Sequence, residues 1–247
     1  MTSSRNFIAA RLTLRPARGL VLLVPVLCSA GTLTPRQALD RYLAADDRPA
    51  CSNSVFAVQV DASLPALKKR GSMTGFKWIV QPGKTAYRGL HFTGDNLVEV
   101  QVIARFLAHD TNPSEQTGNT SLTHRNYVFE FGKVSDYNGL AAYVFLLKPR
   151  HKGRGLFRGE LWLDPQTALP LRLWGDFVKS PSILIRSIRF VQDYQSVDGC
   201  AEPLRLLLAV RTRIAGTAEV IVWVHPVPEP ATTGTDSMCR DSISTCR

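Results

Sequence analysis

Residues Leu140–Tyr194 read LAAYVFLLKPRHKGRGLFRGELWLDPQTALPLRLWGDFVKSPSILIRSIRFVQDY, and this stretch decides the predicted fold. It contains four apolar segments with Pro, Gly and Asp concentrated between them: Ala141–Leu147, Leu156–Leu163, Pro170–Phe177 and Ile183–Tyr194. Short β-rich runs separated by such turn residues are typical of consecutive antiparallel strands. The sequence therefore predicts a series of β-hairpins.

The side chains of these segments alternate between two kinds of face. Leu161 and Leu163 point to one side of the second segment, and Trp162 points to the other. In the third segment, Arg172 and Trp174 are opposite to the leucines. One face is thus aliphatic, and the other carries charges beside large aromatic rings. Aliphatic alternation mostly indicates a core face under a helix, and the alternative is a sheet curved around an apolar ligand.

The core of the stretch is the motif F-x-G-x-L-W-L-D-x-x-T-x-L-P at Phe157–Pro170. With the basic loop before it and the strands after it, this motif resembles the bacterial periplasmic proteins of the outer-membrane lipoprotein carrier superfamily, the LolA/LolB type. The similarity extends from Pro35 to about Pro228 and is most specific over Leu156–Tyr194. It implies a curved, half-open antiparallel sheet with helices in its concave side, where the carriers hold lipoprotein acyl chains. Related sheets also serve as lipid binders and as sensors that contact anti-sigma factors, so the motif indicates the fold more firmly than the function.

Segments outside the central stretch complete this fold. Thr34 and Gln37 can form a capping box, with Pro35 at the first helical position, which predicts a helix that Pro49 closes. Lys68–Gly71 reads as a connection between strands. The other predicted strands share an apolar, β-rich composition: Val55–Asp61, Phe76–Val80, Thr85–Phe92, Tyr127–Val134, Leu204–Ala215 and Ala218–His225. We expect an α+β protein, a half-barrel formed by a strongly curved antiparallel β-sheet of about ten strands with two or three helices on its concave side.

The segment Asp95–His109 allows two interpretations. Its alternating valines favour a strand, whereas the spacing of Val98, Val102 and Phe106 favours a helix. The length of the segment decides for a helix, and a helix interrupts the sheet at this point in the carriers. Thr111–His124 is polar and predicts a loop.

The first 30 residues have the pattern of a secretory signal peptide. Four arginines and no acid precede the apolar run Gly19–Leu27, and small residues follow at Cys28–Ala30. The run is shorter than the ~20 residues that a membrane-spanning helix needs. We expect cleavage after Ala30 and export to the periplasm; a lipidated Cys28 is the alternative. Removal of residues 1–30 leaves 217 residues and lowers the formal charge from +10 to +6.

A mature chain of this length is the size of one domain. The predicted organisation is a signal peptide over residues 1–30, a single LolA-like half-barrel domain over 31–228 and a disordered C-terminal tail over 229–247. The tail is rich in Pro, Thr, Ser and Gly and has few apolar residues, which is typical of disorder.

Four cysteines remain after the signal peptide: Cys51, Cys200, Cys239 and Cys246. An even number in an exported chain predicts disulfides, and four cysteines allow three pairings. We favour Cys51–Cys200, because both flank predicted strands, and Cys239–Cys246, because both lie in the polar tail. Their spacings match no zinc pattern.

The sequence contains no constellation that predicts catalysis. The five histidines occur singly: His91, His109, His124, His151 and His225. Asp164 and Asp176 lie near hairpin ends, where Asp usually serves the turn. A nucleophile elbow and a phosphate-binding glycine loop are both missing from the sequence. We expect a protein that is not an enzyme and uses no metal or cofactor.

The densest positive charge lies in the loop 148–155 and just after it. Its basic residues, called here the basic rim, are Lys148, Arg150, Lys152, Arg154 and Arg158. A solvated hairpin loop is one interpretation. The other is a cationic rim for anionic lipid headgroups or an acidic partner, since each basic residue near such a membrane contributes ~1 kcal/mol.

An acyl ligand would need an apolar cavity. Each methylene exposed to water costs ~0.8 kcal/mol, so a chain of over about a dozen carbons requires ~10 kcal/mol of compensating apolar contact. The candidate lining residues are apolar side chains of the predicted strands and helix: Phe56, Val58, Trp78, Ile79, Val102, Phe106, Tyr143, Phe145, Leu161 and Leu163.

The expected function is a periplasmic carrier or binding protein for lipid-like molecules or lipoprotein acyl chains. The expected partners are those acyl chains, with an anionic membrane surface or an envelope protein as further partners and no nucleic acid. The alternative function is an envelope sensor or scaffold that binds another protein through the same sheet; a hydrolase is a weaker alternative.

Overall fold

The computed structural model describes residues 31–44, 55–81, 84–111 and 120–227. The predicted signal peptide, the predicted helix end at Pro49, most of the predicted polar loop and the predicted tail lie outside these residues.

The described chain forms one ten-stranded sheet in the order β3-β2-β1-β10-β9-β8-β7-β6-β5-β4. Every neighbouring pair is antiparallel. The strands are β1 (Val55–Leu64), β2 (Lys69–Gln81), β3 (Lys84–Gly94), β4 (Tyr127–Tyr137), β5 (Leu140–Pro149), β6 (Phe157–Leu163), β7 (Pro170–Phe177), β8 (Ile185–Val197), β9 (Cys200–Thr212) and β10 (Thr217–Pro226). The predicted ten-stranded antiparallel sheet is confirmed.

Two helical segments pack on the sheet, within the two or three predicted, and a short 3-10 helix (Pro65–Leu67) connects β1 to β2. The first is α1 (Pro35–Ala44), and its capping box is formed: the Thr34 amide donates to Gln37 Oε1 at 2.9 Å, and the Gln37 amide donates to Thr34 Oγ1 at 3.3 Å. The second, called here the crossover, consists of α2 (Asn96–Val98), a π-helical turn (Glu99–Ile103) and α3 (Ala104–Thr111).

The crossover confirms that the segment after Asp95 is helical rather than extended. The Asp95 carboxylate accepts a hydrogen bond from the Leu97 amide at 2.8 Å and thus caps the first turn. The chain leaves β3 at one edge of the sheet, passes through the crossover and re-enters at β4, the opposite edge. The sheet therefore stays open between β3 and β4.

Several strands are longer than the sequence predicts. Lys69–Gly71, predicted as a connection, belongs to β2, because Gly71 pairs with both Ala62 and Gly94. Ser135–Tyr137 extends β4, whereas Ala215 lies in the turn after β9. Pairing with a neighbouring strand overrides the polar composition of such strand ends.

The helices divide the apolar face of the sheet, the helix-covered face, into two clusters. The first cluster includes residues of the crossover: Phe56, Val58, Val60, Ala62, Leu64, Met73, Val98, Ile103, Leu107, Ala218, Val220 and Val222. The second includes residues of α1: Ala38, Leu39, Tyr127, Phe145, Leu147, Leu156, Phe157, Leu161, Leu163, Ala168 and Phe190. Leu206 and Leu208 pack against both clusters.

Two paired glycines allow the central strands to approach closely. Gly159 of β6 lies opposite Gly175 of β7. A Cβ at Gly159 would collide with the carbonyl oxygen of Trp174 and would lie 2.6 Å from the Gly175 Cα. A side chain here would therefore push β7 away from β6.

We expect Gly159→Ala to lower the free energy of unfolding by about 2 kcal/mol or more, because the new methyl group overpacks the β6–β7 pair. Urea unfolding measures this difference. The matched control is Gly132→Ala in β4, where the nearest atom to an added Cβ, the Val144 carbonyl oxygen, is 3.4 Å away. Equal stability of the two variants would contradict the close approach.

Candidate functional site

The centre of the helix-covered face is apolar and only partly buried. Leu206 and Leu208 of β9 lie between the cluster covered by α1 and the cluster covered by the crossover. Leu173 of β7 and Val210 of β9 are also partly buried and extend this surface. We call these four residues the central strip. It is the part of the helix-covered face where the two covers meet.

Gln192 of β8 adds one polar group to the strip. It lies opposite Leu173 on one side and Leu206 on the other. Its Nε2 donates to the carbonyl oxygens of Asp193 at 2.9 Å and Arg205 at 3.2 Å. Both hydrogen bonds use the side-chain nitrogen, so the side-chain oxygen Oε1 of Gln192 remains able to accept a hydrogen bond from a ligand.

Nine of the ten predicted lining residues belong to the two clusters, and they form two groups. Five are core residues at most 4% exposed: Phe56, Val58, Phe145, Leu161 and Leu163. Four are partly buried and pack at the border of the clusters: Ile79, Val102, Phe106 and Tyr143. The strip residues themselves were not predicted, because the run of leucines around Leu206 shows no alternation.

Trp78 is a correction to the predicted lining. It pairs with Val55 and Ala86, so it lies on the face opposite to Phe56. There its ring is 5.8 Å from the Phe76 ring and 5.5 Å from the Arg88 guanidinium. Trp78 therefore belongs to the other surface of the sheet.

Two depressions among the described residues are lined mainly by residues outside the two apolar clusters, and charged and polar side chains alternate there with a few apolar ones. The larger, about 520 Å³, is lined by Asp61, Ala62, Ser63, Arg70, Gly71, Ser72, Thr93, Gly94, Glu219 and Ile221. The other is formed by Ser63, Pro65, Lys68, Lys69, Arg70 and Glu219. On the helix-covered face, the protein's own helices occupy the core positions that were predicted to hold a ligand.

A partly buried ionic network fixes the end of the crossover to the sheet. Asp110 Oδ2 lies 2.8 Å from Lys77 Nζ and accepts hydrogen bonds from Tyr87 OH at 2.8 Å and Thr85 Oγ1 at 3.2 Å. Burial favours a raised pKa for Asp110, but the charge and hydrogen bond of Lys77 and the Tyr87 hydrogen bond hold this pKa below its ordinary value. Burial and the neighbouring Asp110 charge raise the pKa of Tyr87.

A second ionic network lies on the opposite face. Asp193 of β8 is 2% exposed and accepts hydrogen bonds from Arg172 Nε at 2.7 Å, Arg205 at 2.6 Å and Tyr137 OH at 3.1 Å. The Arg172 guanidinium lies 4.9 Å from the Tyr137 ring centre, and that of Arg205 lies 5.2 Å from the Trp223 ring centre. Charges and rings therefore cover one another across strands β4 to β10.

The network sets the pKa of Asp193. Burial favours a raised pKa, but hydrogen bonds from Arg172 and Arg205 and their positive charge hold it below the ordinary carboxyl value. Asp193 is thus a fixed carboxylate whose acceptor positions are used by its neighbours. Such a group holds strands together rather than transferring protons.

The basic rim is split by the structure. Lys148 Nζ pairs with Glu130 at 2.7 Å, and Arg150 Nε donates to the His124 carbonyl at 2.7 Å. Lys152 and Arg154 are exposed in the β5–β6 connection, whereas Arg158 lies within β6 opposite Asp176. The basic rim therefore contains two cations that are bonded to other parts of the protein, two that are exposed in the connection, and one that lies in strand β6.

Cys200 begins β9 and is half-buried, and it forms no disulfide with another described residue. Its predicted partner Cys51 lies outside the described residues, as do Cys239 and Cys246, so the disulfides stay a prediction. No group of three metal-ligating side chains is found within the described ranges. In the same ranges, no helix is long and apolar enough to cross a bilayer.

We expect Asp193→Asn to lower the free energy of unfolding by ~3 kcal/mol, because two partly buried arginines lose their counterion. Asp176→Asn is the control: Asp176 pairs with Arg189, both groups are exposed, and the expected loss is below ~1 kcal/mol. Because the native pKa of Asp193 is lowered, its contribution is present above the ordinary carboxyl pKa and is lost as pH falls through the native value. The Asp193→Asn variant should lose less stability over that acidic range in urea unfolding; a curve parallel to wild type would contradict the role.

We expect Asp110→Asn to loosen α3, because the charge that attracts Lys77 is removed. Hydrogen exchange of the α3 amides should accelerate about tenfold or more, which corresponds to ~1.4 kcal/mol of local stability. Asp40→Asn in α1 is the control, since the Asp40 carboxylate is 61% exposed and lies 3.9 Å from Arg36. Unchanged exchange in Asp110→Asn would show that apolar packing alone holds the crossover.

Comparison with known proteins returns solved structures only: no protein-family model matches the chain, and no curated protein matches it closely enough to count as a relative. The chain is similar to an outer membrane lipoprotein-sorting protein domain from Vibrio parahaemolyticus, with 12% identity, 83% of this chain and 96% of that chain covered, and a TM-score of 0.42. It is similar to a DUF1329 family protein from Desulfovibrio piger, with 11% identity, 81% and 96% covered, and a TM-score of 0.38.

A third similar structure is a LolA superfamily protein from Nitrosomonas europaea, with 12% identity, 77% of this chain and 94% of that chain covered, and a TM-score of 0.34. The fold class itself rests on the strand order and pairing of the chain's own sheet.

Proposed function

We propose that this protein is an exported, periplasmic binding or carrier protein that holds lipid-like molecules, such as lipoprotein acyl chains, against the central strip. The observation that carries the proposal is the partly buried apolar surface of Leu206 and Leu208 between two separately packed helical covers. Binding there requires no catalytic step and no cofactor, since the strip supplies aliphatic side chains and one amide.

The start of α1 is anchored to the sheet. The Leu33 amide donates to the Pro165 carbonyl at 2.8 Å, and Tyr143 OH donates to the Leu33 carbonyl at 2.7 Å. In the proposed exchange, a ligand takes the place of the apolar side chains further along α1 while this anchor holds the start of the helix.

The energies of exchange are comparable. Lifting α1 exposes its apolar residues Leu39, Tyr42 and Leu43, at a cost of ~1.5–3 kcal/mol for each fully buried side chain. An acyl chain of about a dozen methylenes that takes their place gains ~10 kcal/mol. A ligand of that length can thus compensate for the displaced helix, whereas a short one cannot.

A specific observation favours the alternative, binding of another envelope protein. Strands β3 and β4 are free edges of the sheet, and β4 exposes Phe131 (48%) and Val134 (58%). A free edge can accept an added strand from a partner. The register shift between Phe131 and Lys133 bends β4 and opposes such pairing, so the lipid-binding function is the better supported one.

The test is displacement of a fluorescent fatty acid from delipidated protein, together with mass spectrometry of lipid extracted before delipidation. We expect saturable binding that Leu206→Gln combined with Leu208→Gln weakens about tenfold or more, because each amide places polar atoms in the apolar floor. The control is Leu207→Gln on the same strand, since Leu207 pairs with Ile221 and Val191 on the opposite face. Absence of saturable binding by the wild type would reject the lipid function and favour the protein-binding alternative.

A further inference from the structure

Four hairpin connections lie at the same end of the sheet, because β1, β5, β7 and β9 all run toward that end. They are residues 65–68, 150–156, 178–184 and 213–216. We call this surface the loop end. It is separate from the central strip, so the inference drawn from it does not rest on the proposed lipid carriage.

Hydrogen bonds join three of these connections into one surface, and the fourth, 65–68, lies beside them, since a Cβ at Gly216 would be 3.0 Å from the Ala66 Cβ. The Val178 amide donates to the Leu156 carbonyl at 2.9 Å, which links two of them. The Arg213 amide donates to the Leu184 carbonyl at 2.9 Å, and Arg213 Nε donates to the Ile183 carbonyl at 2.7 Å. The β7–β8 and β9–β10 connections are therefore presented side by side.

Large aliphatic side chains are exposed on this surface. Ile183 and Ile214 are 83% and 82% exposed, the highest values among the described large hydrophobic residues, and Leu184 and Leu67 are 52% and 45% exposed. A cluster of exposed aliphatic residues at loop tips is unfavourable in water and marks an interaction surface. Because these side chains are exposed at the ends of connections, they can insert into a lipid layer more readily than they can line a pocket for a small ligand.

The charge around these tips has one sign. The segments 65–70, 148–156, 178–186 and 211–216 contain no Asp or Glu. Their basic residues are Lys68, Lys69, Arg70, Lys148, Arg150, Lys152, Arg154, Lys179, Arg186, Arg211 and Arg213. Acids that face them from neighbouring elements include Asp95, which pairs with Lys69 at 3.0 Å, and Glu130, which pairs with Lys148. Asp61 and Glu219 line the same depression as Arg70. A strong positive excess remains.

We propose that the loop end docks on an anionic phospholipid membrane. Ile183, Leu184 and Ile214 enter the interface between headgroups and acyl chains, and the surrounding lysines and arginines contact the phosphates. The basic rim predicted from the sequence is one part of this larger surface. Aliphatic tips and basic residues act together, since neither alone gives stable attachment of a folded protein to a bilayer.

The test is co-sedimentation of the purified protein with vesicles of phosphatidylglycerol and phosphatidylethanolamine, compared with vesicles of phosphatidylcholine. We expect binding to the anionic vesicles that weakens as salt is added. Ile183→Ser combined with Ile214→Ser should lower the partition coefficient about tenfold or more, because two side chains lose their apolar environment. Lys179→Glu combined with Arg186→Glu should lower it to a similar extent and reduce the salt dependence.

The matched control is Val134→Ser combined with Leu140→Ser, which removes two exposed aliphatic side chains, 58% and 55% exposed, near the β4–β5 turn at the opposite end of the sheet. This variant should bind the vesicles as the wild type does. Insertion of the loop end would be overturned if Ile183→Ser/Ile214→Ser and the control Val134→Ser/Leu140→Ser lost vesicle binding equally. It would also be overturned if Ile183→Ser/Ile214→Ser bound the vesicles as well as the wild type does. Failure of the wild type to bind either vesicle would overturn membrane docking and leave an acidic protein as the occupant of this surface.

Discussion

The apolar face of the ten-stranded sheet must be covered, and the rest of the structure depends on this constraint. An open sheet cannot bury its face against itself, so the protein uses α1 on one half and the crossover on the other. The crossover can reach its place because β3 and β4, the strands it connects, are the two edges of the sheet. The covers do not merge into one layer, and the central strip remains between them. Its residues Leu206 and Leu208 are partly buried and pack against both clusters.

The opposite face of the sheet covers its large aromatic side chains with polar and charged groups rather than with helices. It carries Trp162 and Trp174, whose indole nitrogens both donate to Glu160 Oε2, at 2.9 and 3.0 Å. With the ion network around Asp193, these contacts let large aromatic side chains lie on the face that α1 and the crossover do not cover. The rings are covered by arginine and carboxylate groups instead of a second layer, which keeps the face polar toward water.

The fold was largely predictable from the sequence because its signals are local. The alternation around Leu161 and Trp162 assigns side chains to faces, and the capping box of Thr34 and Gln37 locates a helix start. The site was less predictable because it depends on pairing between distant segments. Trp78 was assigned to the lining although its register places it on the opposite face, since alternation shows that two faces exist without showing which one the helices cover. Asp110 gave no signal, because its partners Lys77, Thr85 and Tyr87 come from strands that only the fold brings together.

The pairing of β1 with β10 has a consequence for how the chain matures. Val60 lies opposite Val222, so the first strand receives its second neighbour from almost the last described segment. During synthesis from the N-terminus, one edge of β1, including the apolar side chains of Phe56 and Val58, stays unpaired until the final hairpin emerges. Contacts of such sequence separation form slowly and leave incomplete chains prone to aggregation. A nascent chain therefore exposes an unpaired, aggregation-prone edge of β1 until β10 has been synthesised.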